Sequence, residues 1–534
     1  MLGLMMHRPL LVSSLIQHAD RHHGSTPVVS RNAEGTLYRG TWHTVHERSR
    51  RLAHALQGLG VAPGDRIGTL AWNNHRHLEA YYAISGMGAV CHTINPRLFP
   101  EQIAGIIQHA GDSVLLLDPM FLPLLESLAP QLSAVRHVIV MGEAGVPLPP
   151  SPLPLLAYEA LLDVASSDYV WPEMDELTAA ALCYTSGTTG KPKGVLYSHR
   201  STLLHAWAVS LPDSLSFSAR DAVLPVVPLF HANAWGFPYA AALTGAKLVL
   251  PGPLLDGAHL YQLLESEKVT LTAGVPTVWN NLMQYLQAEG RQLHYLQRLG
   301  VGGAACPKTI LSYFEDVQKV TVLPGWGMTE TSPVAALTQP KARQANLQGQ
   351  ARRDWLARSG RALFGVDMEI VDDQGQPLPH DGRTCGHLQV QGHWVCDGYY
   401  KEPASPLQQG WFPTGDVAVI DGEGFMQITD RAKDMIKSGG EWISSIELEQ
   451  VTAGHPAILE AAVIGVQHPH WGERPFLMAV KKSGQEVTAG ELRGYLEQRI
   501  AKWWVPDEIV FVDSLPHTAT GKLNKAALRA QRGL

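Results

Sequence analysis

A short segment of the chain combines hydroxyl groups, glycines and lysines in a pattern suited to binding phosphate. Residues 184–194, YTSGTTGKPKG, contain four serine or threonine hydroxyls, three glycines and two lysines. Glycines let backbone N–H groups approach an anion closely, while hydroxyls donate hydrogen bonds and lysines add positive charge. The order is not that of a Walker A loop, because Thr185 stands six positions before Lys191 in place of glycine and Pro192 follows the lysine. The sequence therefore predicts a phosphate-binding loop of another kind.

The elements that must position this loop alternate along the chain. Apolar runs such as DRIGTLAW and DSVLLLD, bounded by glycine or proline, are each followed by a helical pattern. This alternation predicts βαβ units, parallel sheets and helices on both faces, hence an α/β fold. After GWFPTGDVAVIDGEGFMQIT, which is typical of antiparallel strands, the pattern gives way to charge and glycine. We place a domain boundary at Asp430, between a large domain of residues 1–429 and a small α+β domain of residues 430–534.

The composition argues against several functional classes. A net charge of −7 offers no basic field for nucleic acid. The cysteines (Cys91, Cys183, Cys306, Cys385 and Cys396) are odd in number and scattered, which indicates free thiols in a reducing compartment. No apolar run reaches the length of about 18 residues that a membrane span needs. We therefore expect a cytoplasmic protein without an integral membrane segment.

Several further motifs accompany the phosphate-binding segment. Residues 185–194 match the signature (S/T)-S-G-(S/T)-T-G-x-P-K-G throughout, and with it the chain resembles the adenylate-forming superfamily of acyl-CoA synthetases, peptide-synthetase adenylation domains and beetle luciferases. The other motifs of that superfamily follow in order: PLFHANAWG (228–236), VGGAACP (301–307), GWGMTE (325–330), TGD (414–416), DRAKDMIKSGGEWIS (430–444) and PHTATGKLNK (516–525). The resemblance covers essentially the whole chain. It implies a large N-terminal domain of parallel and mixed sheets with flanking helices and a β-barrel-like part, and a small mobile α+β C-terminal domain.

The resemblance implies the chemistry of an AMP-forming acyl-CoA synthetase. A carboxylate has no usable leaving group, so it first attacks the α-phosphate of ATP to give an acyl adenylate and pyrophosphate. The thiol of coenzyme A then displaces AMP. Because the first step brings two anions together, it needs fixed cations and hydrogen-bond donors more than a general base. ATP, Mg²⁺, coenzyme A and a small carboxylic acid are the implied cofactors and partners.

The implied nucleotide site draws on several motifs. Asp416 suits an acceptor for the ribose hydroxyls, and Trp326 is placed against adenine, although it can equally be a core residue. Glu330, a hard oxygen ligand, and Thr185 are assigned to Mg²⁺ and counted as catalytic. The implied ATP- and AMP-binding residues are Thr185, Ser186, Gly187, Thr188, Thr189, Gly190, Lys191, Gly303, Ala304, Ala305, Trp326, Gly327, Met328, Thr329, Asp416, Ile428 and Arg431.

The resemblance assigns two catalytic lysines to the small domain. Lys522 is implied to bridge the carboxylate and the α-phosphate during adenylation. The small domain then rotates about Asp430, and Lys437 replaces Lys522 while a glycine loop reaches the pantetheine channel. The residues assigned to coenzyme A are Ser438, Gly439, Gly440, Glu441, Trp442 and Arg474.

The acyl-site motif narrows the class of acid. His231 follows Phe230 where amino-acid-activating members have an aspartate, which argues against amino acids. Trp235, one helical turn beyond His231, either fills much of the acyl tunnel or packs in the core. The implied acyl residues are His231, Trp235, Gly302, Gly303 and Pro333.

The sequence most resembles a bacterial branch of the superfamily that includes medium-chain acyl-CoA synthetases and methylmercaptopropionate-CoA ligases. We therefore expect a stand-alone ligase for short- to medium-chain acids, including sulfur-containing ones. An aryl-acid ligase, a luciferase-like oxygenase and an adenylating enzyme that does not use coenzyme A stay open as alternatives, as does a homodimer beside a monomer.

Overall fold

The structure is a computed structural model that describes residues 1, 3–32, 35–185, 192–438, 441–517 and 523–532. Its strands are β1 (Pro27–Arg31), β2 (Leu37–Thr41), β3 (Arg66–Leu70), β4 (Val90–Thr93), β5 (Val114–Leu117), β6 (His137–Val140), β7 (Leu155–Ala157), β8 (Ala179–Tyr184), β9 (Gly194–Ser198), β10 (Ala222–Pro225), β11 (Lys247–Leu250), β12 (Leu271–Gly274), β13 (Arg298–Val301), β14 (Thr321–Gly327), β15 (Val334–Leu337), β16 (Gly360–Ala362), β17 (Val366–Val371), β18 (Gly386–Gly392), β19 (Phe412–Ile420), β20 (Phe425–Arg431), β21 (Ile436–Ser438), β22 (Glu441–Ile443), β23 (Ile458–His468), β24 (Gly472–Lys481) and β25 (Glu508–Phe511). Its α-helices are α1 (Val12–His23), α2 (Trp42–Gly58), α3 (His75–Gly86), α4 (Pro100–Ala110), α5 (Leu122–Leu128), α6 (Tyr158–Val164), α7 (His199–Ser210), α8 (Phe237–Thr244), α9 (Gly257–Ser266), α10 (Pro276–Ala288), α11 (Lys308–Ser312), α12 (Gly349–Leu356), α13 (Ser445–Ala453), α14 (Ala489–Glu497) and α15 (Lys525–Gln531).

The first sheet has seven strands in the order β7-β6-β5-β3-β4-β8-β9. All neighbours run parallel except β8 and β9, which are antiparallel and flank the predicted phosphate-binding loop. Helix α3 is buried along its whole length, as expected for a helix that packs between layers. The predicted alternation of strands and helices is confirmed here, and it places the loop at one end of the pair β8-β9.

The second sheet changes character along a single strand. Strands β1, β11, β10, β12, β13 and β14 pair in parallel, and the path continues as antiparallel strands in the order β15-β16-β20-β19-β18-β17. The change occurs within β14, which pairs in parallel with β13 up to Pro324 and antiparallel with β15 from Gly325. The antiparallel part corresponds to the predicted barrel-like region, and β14 carries the motif GWG into it.

The C-terminal part forms a separate sheet in the order β22-β21-β24-β23, with β25 parallel to β24. Its apolar side chains, with those of α13 and α14, form their own hydrophobic cluster. The large domain with mixed sheets and the smaller α+β domain are therefore both present. The predicted boundary residue, Asp430, lies one position before the end of β20, and the C-terminal sheet starts at Ile436. Among the helices of the described ranges, none combines the length and apolar character needed to cross a bilayer.

Candidate active site

A buried carboxylate lies directly after β14. Glu330 is 7% exposed, and its Oε1 accepts a hydrogen bond of 2.8 Å from the hydroxyl of Tyr399. The backbone around it is also held, because Cys396 N–H donates to the Glu330 carbonyl at 2.8 Å and the Tyr197 hydroxyl donates to the Thr329 carbonyl at 2.7 Å. Burial raises the pKa of Glu330, and the hydrogen bond from Tyr399 acts in the opposite direction. The carboxylate is thus fixed in orientation by groups of the large domain.

The two ends of the predicted phosphate-binding loop lie next to this carboxylate. Thr185 N–H donates to the Lys193 carbonyl at 2.9 Å, and Lys193 N–H donates to Thr185 Oγ1 at 3.3 Å. The Lys193 ammonium lies 4.5 Å from the ring centre of Tyr399, a cation–π contact. Tyr400 N–H donates to the Gly194 carbonyl at 2.8 Å. The segment that contains Tyr399 and Tyr400 therefore links the loop ends to Glu330.

The middle of that loop lies outside the described residues. The predicted nucleotide contacts that fall there are Ser186, Gly187, Thr188, Thr189, Gly190 and Lys191.

The oxygen atoms at this position are suitable ligands for Mg²⁺. One buried carboxylate oxygen of Glu330 and a hydroxyl of Thr185 are hard ligands, and Mg²⁺ is commonly held by one or two carboxylates together with substrate phosphates and waters. The ranges that the structure describes contain no cluster of three or more His, Cys, Asp or Glu side chains that would form a cage made only of protein ligands. The residues present therefore fit a metal that is shared with a phosphate chain.

A second buried carboxylate lies on the antiparallel side of β14. Asp416 is 2% exposed; its Oδ2 accepts a hydrogen bond of 2.9 Å from Trp326 Nε1, and its Oδ1 lies 2.8 Å from Arg431 Nε. Strand register sets the ion pair, because β19 and β20 place Asp416 directly opposite Arg431. Each oxygen can accept a further hydrogen bond. The three residues predicted to contact the nucleoside, Asp416, Trp326 and Arg431, are brought into direct contact.

The remaining predicted nucleotide residues line the same strands and the loop after β13. Gly327 has no room for a side chain, since a Cβ there would lie 1.9 Å from the Pro333 carbonyl oxygen. Met328 N–H donates to that same carbonyl at 3.2 Å. Ile428 lies in β20, opposite Ala418 of β19. Gly303, Ala304 and Ala305 follow β13, with Gly303 in the left-handed region at φ +78°.

The acyl-site motif has an unusual backbone. Ala232, Asn233, Ala234 and Trp235 all have positive φ angles, of 42°, 52°, 49° and 54°, before Gly236 and helix α8. The sequence predicted a helical turn after His231, but the turn is left-handed, at a cost of about 1–2 kcal/mol per non-glycine residue. Such a conformation persists only where the surroundings enforce it.

Buried hydrogen bonds provide that enforcement. Asn233 is 3% exposed; its Oδ1 lies 3.3 Å from the Tyr81 hydroxyl and 3.2 Å from Cys183 Sγ, and its Nδ2 lies 3.3 Å from the Tyr239 hydroxyl. The turn directs the indole of Trp235 against Gly302, where an added Cβ would lie 2.9 Å from the ring. Trp235 therefore belongs to the core and also meets a predicted acyl residue.

Pro333, another predicted acyl residue, directly precedes β15. The next residue, Val334, donates its N–H to His205 Nε2 at 3.1 Å, and its carbonyl accepts from Trp394 Nε1 at 3.2 Å. Burial lowers the pKa of His205 to about 3, so the imidazole is neutral and accepts the hydrogen bond. The backbone that follows Pro333 is thus held by hydrogen bonds at both the N–H and the carbonyl of Val334.

The predicted residues of the small domain are only partly described. Lys437 lies in β21, and its N–H donates to Glu473 at 2.9 Å. Lys522, Gly439 and Gly440 lie outside the described residues, as do the side chains of Glu441 and Trp442.

Arg474, a candidate for a coenzyme A phosphate, is bound by several groups of the small domain. Its guanidinium pairs with Asp507 at 2.9 Å, donates to the carbonyls of Trp503 and Val505 at 2.5 and 3.0 Å, and lies 3.3 Å from the Ser438 hydroxyl. These contacts occupy its donors within the small domain, and its contact with a coenzyme A phosphate stays a prediction.

Tyr399 is a residue that the sequence interpretation missed. It lies in DGYYKEP, a loop segment without periodicity or charge pattern, and it reaches Glu330 across 69 positions of the chain. Only the tertiary structure reveals that contact.

Comparisons with known proteins agree with this arrangement. The AMP-binding enzyme family matches residues 15–400, and the AMP-binding enzyme C-terminal domain matches residues 447–522. The chain is 51% identical over 530 residues to a 3-methylmercaptopropionyl-CoA ligase of Ruegeria lacuscaerulensis, covering 99% of this chain and 98% of the relative. It is 49% identical over 534 residues to a medium-chain-fatty-acid–CoA ligase of Ectopseudomonas oleovorans, covering 100% and 98%.

A solved structure shares the fold. The anthranilate CoA ligase AuaEII, in complex with anthranoyl-AMP, superposes with a TM-score of 0.86 at 24% identity over 97% of each chain. Together with the two family matches and the relatives of about half-identical sequence, the ordered motifs lead to one conclusion: the chain belongs to the AMP-binding enzyme family.

Proposed function

We propose that this protein is an ATP-dependent, AMP-forming acyl-CoA synthetase. The observation that carries the proposal is the way β14 positions two buried carboxylates: its Trp326 binds Asp416, and its end leads directly to Glu330. A ribose acceptor bound to one strand and a metal ligand just after the end of that strand suit a nucleoside triphosphate. Relatives of 51% and 49% identity over the full chain are named as CoA ligases.

In the first half-reaction the large domain holds the nucleotide. Asp416 accepts hydrogen bonds from the ribose hydroxyls, and Glu330 with Thr185 would hold Mg²⁺, which would supply positive charge beside the phosphate chain. The carboxylate of the acid attacks the α-phosphate, and pyrophosphate leaves. Lys522 neutralises the two anions as they meet, because preorganised charge is the main requirement of such a transfer.

In the second half-reaction the small domain changes position about Asp430. Lys437 then replaces Lys522, and the loop with Gly439 and Gly440 admits the pantetheine arm of coenzyme A. The thiol attacks the acyl carbonyl, forming the C–S bond, and AMP leaves with the bonding electrons. One mobile domain thus serves two reactions in turn.

The acid is proposed to be short to medium in length, with methylmercaptopropionate among the candidates. The Trp235 indole, set against Gly302 by the left-handed turn, limits the depth of the acyl pocket. His231 provides no carboxylate for an amino-acid ammonium group. Relatives named for 3-methylmercaptopropionate and for medium-chain fatty acids share about half of the sequence. Aryl acids are the second candidate class, since a trans-cinnamate:CoA ligase of Petunia hybrida is 31% identical over 522 residues.

A substrate panel tests the proposal. The purified protein is given ATP, Mg²⁺ and coenzyme A with straight-chain acids of two to sixteen carbons, 3-methylmercaptopropionate, benzoate and cinnamate. AMP, pyrophosphate and acyl-CoA are expected in equal amounts, with the highest kcat/KM for short to medium acids. Release of ADP, or AMP release that does not depend on coenzyme A, would contradict the proposal. Glu330→Gln is the matched inactive control.

A further inference from the structure

A buried polar cluster lies on the face of β20 opposite to the nucleotide site. Its centre is Asp430, which is fully buried. Asp430 Oδ2 accepts hydrogen bonds of 2.6 Å from both the N–H and the hydroxyl of Ser445, and Oδ1 accepts 2.7 Å from Arg431 N–H. The hinge carboxylate is therefore bound to the first turn of α13.

Among the described residues, Lys525 is the lysine that supplies positive charge to this cluster. Lys525 Nζ lies 2.5 Å from the Ser445 hydroxyl and 2.8 Å from Glu449 Oε1, with its side chain 10% exposed. Glu449 also accepts Val463 N–H at 2.7 Å. Burial raises the pKa of Asp430 and that of Glu449, the latter to about 7, and the charge of Lys525 acts against both shifts. A buried charge without a partner is costly, so the cluster favours one position for Lys525.

The cluster joins three parts of the chain that the proposed mechanism uses together. Asp430 lies one position before the end of β20, Ser445 is the first residue of α13 with Glu449 one turn further along, and Lys525 is the first residue of α15. In the sequence, Lys525 follows Lys522 by three positions.

Helix α15 is held to the hinge segment a second time. Arg529 donates to Asp434 Oδ1 at 2.6 Å and to the Lys433 carbonyl at 3.3 Å. Helix α15 is thus attached through Lys525 to Ser445 and Glu449 of α13, and through Arg529 to Lys433 and Asp434 of the hinge segment.

We propose that Lys525 is a positioning residue for adenylation. By binding Ser445 and Glu449 beside Asp430, its ammonium fixes the start of α15 against the hinge, and Lys522 precedes that start by three positions in the sequence. A positive charge at position 525 is then needed for adenylation, in which Lys522 acts, and is dispensable for thioester formation, in which Lys437 acts. The inference rests on the proposed function of Lys522.

The test separates the two half-reactions in Lys525→Met. Adenylation is followed by exchange of labelled pyrophosphate into ATP, and thioester formation by acyl-CoA production from supplied acyl-AMP. We expect pyrophosphate exchange to fall by about tenfold or more, the scale of a misplaced catalytic group, while thioester formation stays within about twofold. Lys525→Arg should recover much of the loss. Lys481→Met, which removes a lysine paired with Glu486 at 2.7 Å elsewhere in the small domain, should change neither rate.

A purely structural role would give a different result. Equal loss in both half-reactions together with a lower Tm, or no loss in either, would overturn the inference. If Lys525→Met folds poorly, Glu449→Gln replaces it as the test variant. This change keeps an oxygen acceptor for Lys525, so pyrophosphate exchange should again fall more than thioester formation, but by a smaller factor.

Lys522→Ala distinguishes failure of the inference from failure of the proposed function. If it loses pyrophosphate exchange selectively while Lys525→Met does not, only the inference is wrong. If it leaves exchange intact, both are wrong.

Discussion

The two sides of the end of β20 serve different domains. Neighbouring residues of a strand point to opposite faces, so Arg431 meets Asp416 in the large domain while Asp430 meets Ser445 in the small domain. On the first side, the ion pair follows from strand register within one sheet. On the second side, the charge comes from Lys525, 95 positions later in the chain. The nucleotide side is therefore fixed, whereas the hinge side depends on a contact between distant segments.

This difference predicts two kinds of variant. Changes on the Asp416 side should weaken both half-reactions, because the adenosine moiety is held throughout. Changes in the small domain should separate the half-reactions, because each conformation uses different residues.

The largest effect is expected for Asp416→Asn. Loss of the charge weakens the hydrogen bonds to the ribose hydroxyls and leaves Arg431 without its partner carboxylate. A hydrogen bond to a charged group contributes about 1.5–3 kcal/mol, and about 1.4 kcal/mol is a factor of ten. Loss of one such bond should therefore lower kcat/KM by about tenfold to about 150-fold, in pyrophosphate exchange and in thioester formation alike. Steady-state kinetics of each half-reaction check this. Asp381→Asn, on an exposed turn before β18, is the control; a loss confined to one half-reaction would break the comparison.

The next effect is expected for Lys437→Ala. If Lys437 acts only in the second conformation, thioester formation from supplied acyl-AMP should fall at least about tenfold, while pyrophosphate exchange stays unchanged. The exposed Lys482→Ala is the matched control in the same domain. Reduced exchange with intact thioester formation would assign Lys437 to the other conformation.

The sequence predicts the fixed side well because it follows local rules. The alternation of strands and helices indicated the parallel sheets, and the stretch around Asp416 indicated the antiparallel strands that align it with Arg431. An ion pair between residues that lie directly opposite each other forms once the two strands are paired in register. For the same reason β14, with the motif GWG, could be placed before Glu330.

The remaining features depend on tertiary contacts that no local pattern encodes. The contact of Tyr399 with Glu330 joins a loop to a turn, and that of Lys525 with Glu449 joins the start of α15 to the middle of α13. The turn at residues 232–235 contains no glycine, so its positive φ angles could not be expected from its residue types. Those angles are enforced by the buried side chain of Asn233 and its partners on other elements.

A smaller effect is expected for Tyr399→Phe, which removes one hydrogen bond to Glu330. With a net contribution of about 1.5 kcal/mol, the Mg²⁺ concentration for half-maximal pyrophosphate exchange should rise about tenfold. Equilibrium binding of Mn²⁺–nucleotide should weaken in parallel. Tyr400→Phe is the control, since its hydroxyl donates to the Ala110 carbonyl at 3.3 Å and not to Glu330. An unchanged Mg²⁺ requirement would show that Glu330 is oriented without the hydroxyl of Tyr399.

The smallest effect is expected for Trp326→Phe, and it sharpens the comparison most directly. Phenylalanine keeps an aromatic ring beside the nucleoside but removes the N–H that binds Asp416 Oδ2. Arg431 still holds the other oxygen, so the carboxylate loses only one of its anchors, and the KM for ATP should rise about three- to tenfold, less than the loss of a whole hydrogen bond between a charged group and the nucleotide would cause. Thioester formation from supplied acyl-AMP should weaken by the same factor, with the KM for the acid unchanged. Trp207→Phe, which alters an exposed tryptophan of α7, serves as control. If Trp326→Phe affects pyrophosphate exchange alone, the indole belongs functionally to the adenylation conformation, and the fixed side of β20 is less independent of the small domain than its strand register indicates.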